Sequence, residues 1–142
     1  DTPAARADDA AAIVRAVERR AVPMCLRPDP VPVPRRRPRL FALELESAAA
    51  AELHGALAPR LTAAGLHEPD QRPFWPHVTV ARIRPQRRPA RIPELPERLL
   101  EPFGGVRVRL YRSLLRPDGA EYVSLASLDL PPVAAEPGAE ER

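Results

Sequence analysis

Three side chains able to handle a phosphate ester fall within six residues of this chain, in Pro73-Phe74-Trp75-Pro76-His77-Val78-Thr79-Val80-Ala81-Arg82. An imidazole moves a proton, a hydroxyl donates to a phosphate oxygen, and a guanidinium neutralises the anion. The β-branched residues between them predict a strand. Residues two apart on a strand share a face, so His77 and Thr79 point the same way. Arg82 breaks that period. It is expected at the strand end, reaching in from the rim. A strand histidine satisfied by its neighbours would have the same local sequence, so spacing alone leaves both readings open. Trp75 is equally a stacking surface for a nucleobase or a core residue. Phe74 is assigned to the core.

The elements that must position this strand can be read from either side. Asp8 or Asp9 is a candidate cap for a helix to about Arg20, with Ile13 and Val17 on its apolar face and Ala10 and Ala21 extending it. Val22 to Leu26 reads as a short strand holding Cys25 as a buried thiol. Pro28 to Pro38, with five prolines and Arg35-Arg36-Arg37, reads as an extended loop or edge strand. Leu40 to Glu46 is the clearest strand. Ser47 then caps a helix with Leu53, Leu57 and Leu61 four apart, and Gly65 stops it. Pro59 inside that helix predicts a kink or a break.

Beyond the motif strand, 85–102 reads as a proline-punctuated loop carrying Arg87, Arg88 and Arg91, with Arg84 just before it. Val106 to Tyr111 alternates as a half-buried strand should. Arg116-Pro117-Asp118-Gly119 is a turn signal returning Glu121 to Leu128 as its hairpin partner, in which Tyr111 and Ser113 serve. The fold class is therefore α+β: two helices and a mostly antiparallel sheet. Residues 1–130 form the domain, and 131–142, rich in Pro, Ala and Glu, form a flexible tail.

Composition sets wide bounds. The chain has 142 residues, enough for one domain with a core. Its 22 basic residues are all arginine, and with 19 acidic residues the formal net charge is +3. That balance is compatible with nucleic acid or a phosphorylated substrate without requiring either. The lack of lysine beside abundant Ala, Pro and Arg matches a GC-rich coding bias. Hence Arg35 to Arg37 and Arg84 to Arg91 read first as solvated charge runs and second as RNA contacts. One cysteine excludes an internal disulfide and a cysteine zinc cluster. Neither a signal peptide nor a bilayer-spanning apolar run is evident, so the expectation is a cytoplasmic protein with no membrane partner.

Four segments together resemble the 2H phosphoesterases, and within them the LigT-like RNA 2′,3′-cyclic phosphodiesterases, also called 2′-5′ RNA ligases. They are Pro38 to Glu46 leading into a helix, Arg72 to Arg82 with its His-x-Thr-x pattern, Val108 to Ser113, and Gly119 to Tyr122 with the strand after it. The resemblance covers about residues 9 to 128. It implies a two-lobed fold in which two His-x-Thr-x motifs face each other across a cleft, one His as general acid and one as general base. By it, His77 is a catalytic histidine, Thr79 a phosphate ligand, and Arg82 a substrate-binding residue. It further implies RNA with 2′,3′-cyclic phosphate ends, or nucleotide cyclic phosphates, as substrates. The product would be a 2′-phosphomonoester, with 2′-5′ ligation as an accompanying activity. No metal and no cofactor are implied.

The chain departs from that pattern in carrying a single His-x-Thr-x. Neither His54 nor His67 has Thr or Ser two positions on; His54 is expected on a helix surface, and His67, in the loop before the motif, reads first as solvated and second as lining a cleft. Asp1-Thr2-Pro3 followed by a helix resembles the segment after the family's first motif, so the expectation is an N-terminally incomplete member. Such a chain would expose a sheet edge and part of an apolar face, inviting self-association that could bring two His77 residues together. The competing expectation is a non-catalytic RNA- or phosphate-binding half-domain.

Overall fold

The computed structural model describes residues 4–69, 71–83, 95–117 and 119–134. Its elements are α1 (Ala4–Arg15), β1 (Pro23–Leu26), β2 (Val31–Val33), β3 (Leu40–Glu46), α2 (Ala48–Ala63), β4 (His77–Arg82), a 3-10 turn (Glu97–Leu99), β5 (Phe103–Gly104), β6 (Arg107–Arg116) and β7 (Gly119–Asp129). Every strand pairing is antiparallel, and the class is α+β. No helix is long and apolar enough to cross a membrane among the described residues.

β3 is the spine of the larger sheet. β4 lies along one side of it; β2 and β1 follow one another along the other, and β5 pairs with the outside of β1. The apolar alternation of Leu40 to Glu46 suits this central position: Ala42 and Leu43 are buried, while Glu46 is exposed at the end. β5 was not expected. Its two residues sit in a Pro- and Gly-rich stretch with no periodicity to read, and they pair with Pro23 and Met24. Cys25 is half-buried on β1, with Sγ 3.2 Å from the Leu100 carbonyl oxygen.

β6 and β7 form a separate two-stranded sheet, and α1 lies across one of its faces. Ala11 and Val14 of α1 pack with Ala126, joined by Val108, Leu110 and, from α2, Leu57. α1 corrects the expectation at both ends. It already runs at Ala4, so Asp8 and Asp9 lie within it and cap nothing, and it stops at Arg15 rather than Arg20. Its buried residues are Ala10, Ala11 and Val14, continued past its end by Val17; Ile13 is only half-buried. Arg20 reaches Glu18 at 2.8 Å and Glu52 of α2 at 3.5 Å. The hydrogen bond and charge of Arg20 hold the Glu18 carboxyl below its ordinary range. Both groups are in water, so this link guides more than it stabilises.

α2 begins as expected, with the Ala50 N–H donating to Ser47 Oγ at 3.0 Å. It ends on Gly65 at φ +66, where Gly65 N–H bonds Thr62 O and Leu66 N–H bonds Leu61 O, both at 2.8 Å. That double bond pattern is the Schellman motif. Pro59 does not break the helix. Pro59 and Gly55, four residues earlier, are both exposed, so the carbonyl that Pro59 cannot serve is open to water.

Phe74 is not core. It is 44% exposed and stacks on the His54 ring at 4.1 Å between centroids. His67 is half-buried rather than solvated; with His54, Phe74, Leu53, Leu57 and Leu61 it lines an apolar groove of about 350 Å³ along α2. Both departures share a cause: a sequence does not say which loop returns across a helix face.

Candidate active site

Among the described residues β4 pairs with β3 alone, and that pairing determines what it presents. Glu44 is opposite His77, Ala42 opposite Thr79, Phe41 opposite Ala81 and Leu40 opposite Arg82. Val80 is left over. It is the extra residue of a β-bulge, which shifts the alternation by one. Residues directly opposite on paired strands share a face. Leu40, Ala42 and Glu44 share one face of β3, so His77, Thr79 and Arg82 share the matching face of β4. This corrects the expectation that Arg82 lies off the face and enters from the rim.

All three side chains are exposed. On the opposite face, Val78 and Val80 are exposed as well, and the outer edge of β4 pairs with no described strand. The strand therefore carries its polar stripe into open solvent with one rail of hydrogen bonds behind it.

His77 is held more closely than its exposure suggests. Pro76 restricts Trp75 to extended backbone, keeping Trp75 in phase with His77 two residues on. The indole accordingly stacks on the imidazole, with centroids 4.3 Å apart and planes 16° from parallel. His77 Nδ1 lies 2.8 Å from the Trp75 carbonyl oxygen. A carbonyl only accepts, so Nδ1 carries the hydrogen and Nε2 is the nitrogen left for proton transfer.

Behind Trp75 stands a pair that sequence reasoning missed. Trp75 Nε1–H donates to Glu44 Oε2 at 3.0 Å, and Glu44 Oε1 lies 3.2 Å from Arg27 Nε. Arg27 also pairs with Glu46 and donates its backbone N–H to the Glu44 carbonyl at 2.9 Å. Glu44 occupies a solvent-phase position of an alternating strand, where a carboxylate carries no signal until the partner strand is known.

The opposite end of the stripe is charged differently. Ile83 N–H bonds Arg39 O at 2.8 Å and Arg39 N–H bonds Val33 O at 2.9 Å, so the β2–β3 turn abuts the Arg82 end of β4. That turn carries Arg35, Arg36 and Arg37, all exposed, with Arg37 at φ 59. Arg35, Arg36, Arg37, Arg39 and Arg82 form no ion pair with a described residue. Carboxylates and paired charge flank His77; unpaired guanidinium groups flank Arg82. The second arginine run, 84–91, lies outside the described residues. No cluster of three His, Cys, Asp or Glu side chains suited to a metal ion occurs among the described residues.

No protein-family model matches the chain, and no curated protein matches it in sequence. Solved structures do match. The protein TT0787 of Thermus thermophilus superposes with a TM-score of 0.75 at 22% identity, over 92% of this chain and 73% of that one. A protein described as a phosphoesterase superposes with a TM-score of 0.70 at 18% identity, over 91% of this chain and 71% of its own. The chain has the fold of these two proteins. At this identity the likeness concerns the path of the backbone.

Proposed function

We propose that this chain is a phosphoesterase acting on 2′,3′-cyclic phosphates at RNA ends. The observation that carries the reading is the single face shared by His77, Thr79 and Arg82, with Nδ1 of His77 already engaged. The fold of a phosphoesterase on the same backbone supports it. Thr79 Oγ donates to a non-bridging phosphate oxygen, and Arg82 neutralises the dianionic character that grows as water adds. Nε2 of His77 handles one of the two protons in play: the one leaving the attacking water, or the one arriving on the departing 3′ oxygen. The P–O3′ bond breaks and a 2′-phosphomonoester remains. The same displacement, with a 5′-hydroxyl in place of water and O3′ again the leaving group, is a 2′-5′ ligation. No step is assigned to a metal or cofactor.

One imidazole performs half of that proton traffic. A positioned acid or base contributes roughly 10²–10⁴-fold, so a single copy should turn over slowly. Two copies meeting along the open side of β4 would supply the second His77 by a twofold axis. In that case the specific rate rises with chain concentration and tracks the dimer fraction in sedimentation.

The test is hydrolysis of a nucleoside 2′,3′-cyclic phosphate by the chain and by His77→Ala, with EDTA present. Activity lost in the variant supports the reading; equal activity in both overturns it. A second reading, a non-catalytic phosphate- or RNA-binding unit, is favoured by the single His-x-Thr-x pattern. It expects ligand binding through Thr79 and Arg82 with no turnover.

A further inference from the structure

We propose that Glu44 and Trp75 are positioning residues, which together hold the imidazole of His77 in one orientation on an otherwise exposed strand. This rests on the reading of His77 as the proton-transfer group.

An exposed histidine on an edge strand has no packed neighbours to fix its rotamer, and rotamer freedom at a reacting group costs rate. A misplacement of about 1 Å can cost on the order of 100-fold. Here the ring is fixed at two places: its Nδ1–H on the Trp75 carbonyl, and its flat face on the Trp75 indole. The backbone contact alone leaves the ring free to pivot. The indole removes that freedom only if it is itself immobile. Trp75 is half-buried and precedes β4 rather than lying in it, so strand pairing does not fix it. Glu44 supplies the hold. Its place opposite His77 puts the carboxylate on the site face, one oxygen accepting the indole N–H and the other facing Arg27. Arg27 in turn is anchored to β3 through its backbone and to Glu46. The chain of contacts Arg27–Glu44–Trp75–His77 runs from an exposed arginine just past β1, across β3, to the imidazole ring.

The alternative for Trp75 is a stacking surface for the substrate's base. The two roles differ in what they move. A base platform sets KM and is indifferent to a substrate without a base. A positioning residue sets kcat and acts on every substrate.

The experiment compares Trp75→Ala, Trp75→Phe, Glu44→Gln and Glu44→Leu on a nucleoside 2′,3′-cyclic phosphate and on abasic ribose 2′,3′-cyclic phosphate. Trp75→Ala should lower kcat about tenfold or more on both substrates with KM little changed. Trp75→Phe, which keeps a stacking ring, should recover most of the loss. Glu44→Gln, whose amide oxygen still accepts from the indole, should stay near the parent chain, and Glu44→Leu should fall with Trp75→Ala. A loss confined to KM, or one that vanishes on the abasic substrate, overturns the proposal. A readout independent of turnover separates this from the catalytic reading. In the parent chain the stacked indole should displace the His77 ring-proton resonances upfield by its ring current. Glu44→Leu keeps Trp75 but should release that displacement, and Glu44→Gln should keep it. Full displacement in Glu44→Leu overturns the tether even if the chain hydrolyses nothing.

Discussion

Thr79 and Arg82 lie on one face of β4 although they are an odd three positions apart, because Val80 has no partner on β3 and the alternation slips there by one. The bulge thus converts an odd spacing into a common surface. Deleting Val80 should restore strict alternation and leave Arg82 opposite Leu40, two residues after Thr79 and on the same face. A hydrogen bond to a charged group is worth about 1.5–3 kcal/mol. Arg82→Leu should therefore weaken phosphate or cyclic nucleotide binding by roughly one to two orders of magnitude, while the deletion should retain most of the affinity. Titration calorimetry on both variants, with circular dichroism as the check on fold, reads this. Parent-like affinity in a folded Arg82→Leu variant would remove Arg82 from the site.

His77→Gln should abolish turnover while leaving the unfolding midpoint in place. The side chain is exposed and its partners are the backbone and ring of Trp75, so little packing is lost with it. Loss of one acid–base group corresponds to about 100-fold or more in rate. A midpoint that falls with the activity would instead make His77 a structural residue of β4.

Gly65 closes α2 from the left-handed region, at φ +66, where an added Cβ would also come within 3.0 Å of the Arg6 guanidinium. A non-glycine residue in that region costs about 1–2 kcal/mol. Gly65→Ala should lower stability by about 1 kcal/mol in urea unfolding, since the arginine end can move aside but the backbone cannot. The same substitution should leave turnover alone, because nothing in the site touches the end of α2.

The sequence carried the parts of this fold whose signals are local. Leu40 to Glu46, Ser47 and Gly65 read correctly because alternation, a capping hydroxyl and a left-handed glycine act within a few residues. The N-terminal boundary of α1 failed because a run of alanines extends a helix past any capping aspartate. Of the site, His77 and Thr79 were placed by period alone. The common face of Arg82 was not legible, since a bulge belongs to the pairing of two strands and leaves no mark on one. Glu44 was hidden for the same reason: its meaning comes from standing across from His77, thirty-odd residues away in sequence, and that of Arg27 from facing Glu44.

The unpaired guanidinium groups beside Arg82 make the final prediction. At the His77 end, Arg27 is matched by Glu44 and Glu46, so that flank offers a polyanion no net attraction. At the Arg82 end, Arg35, Arg36, Arg37 and Arg39 face solvent without carboxylate partners among the described residues. Of the described residues on these two flanks, those at the Arg82 end offer favourable potential to the remaining phosphates of an RNA end bound with its cyclic phosphate at Thr79 and Arg82. Counterion release then makes affinity fall steeply with salt, with a slope near 0.7 per phosphate contacted on a single strand. The expected outcome is that an oligonucleotide ending in a cyclic phosphate outcompetes the mononucleotide at low salt and loses that advantage as salt rises. Replacing Arg35, Arg36 and Arg37 together by Ser should flatten the salt dependence by about two contacts' worth of slope while leaving mononucleotide hydrolysis unchanged. An unaltered slope in that variant would return the arginine turn to a solvated charge run, and leave the specificity of the site to the phosphate alone.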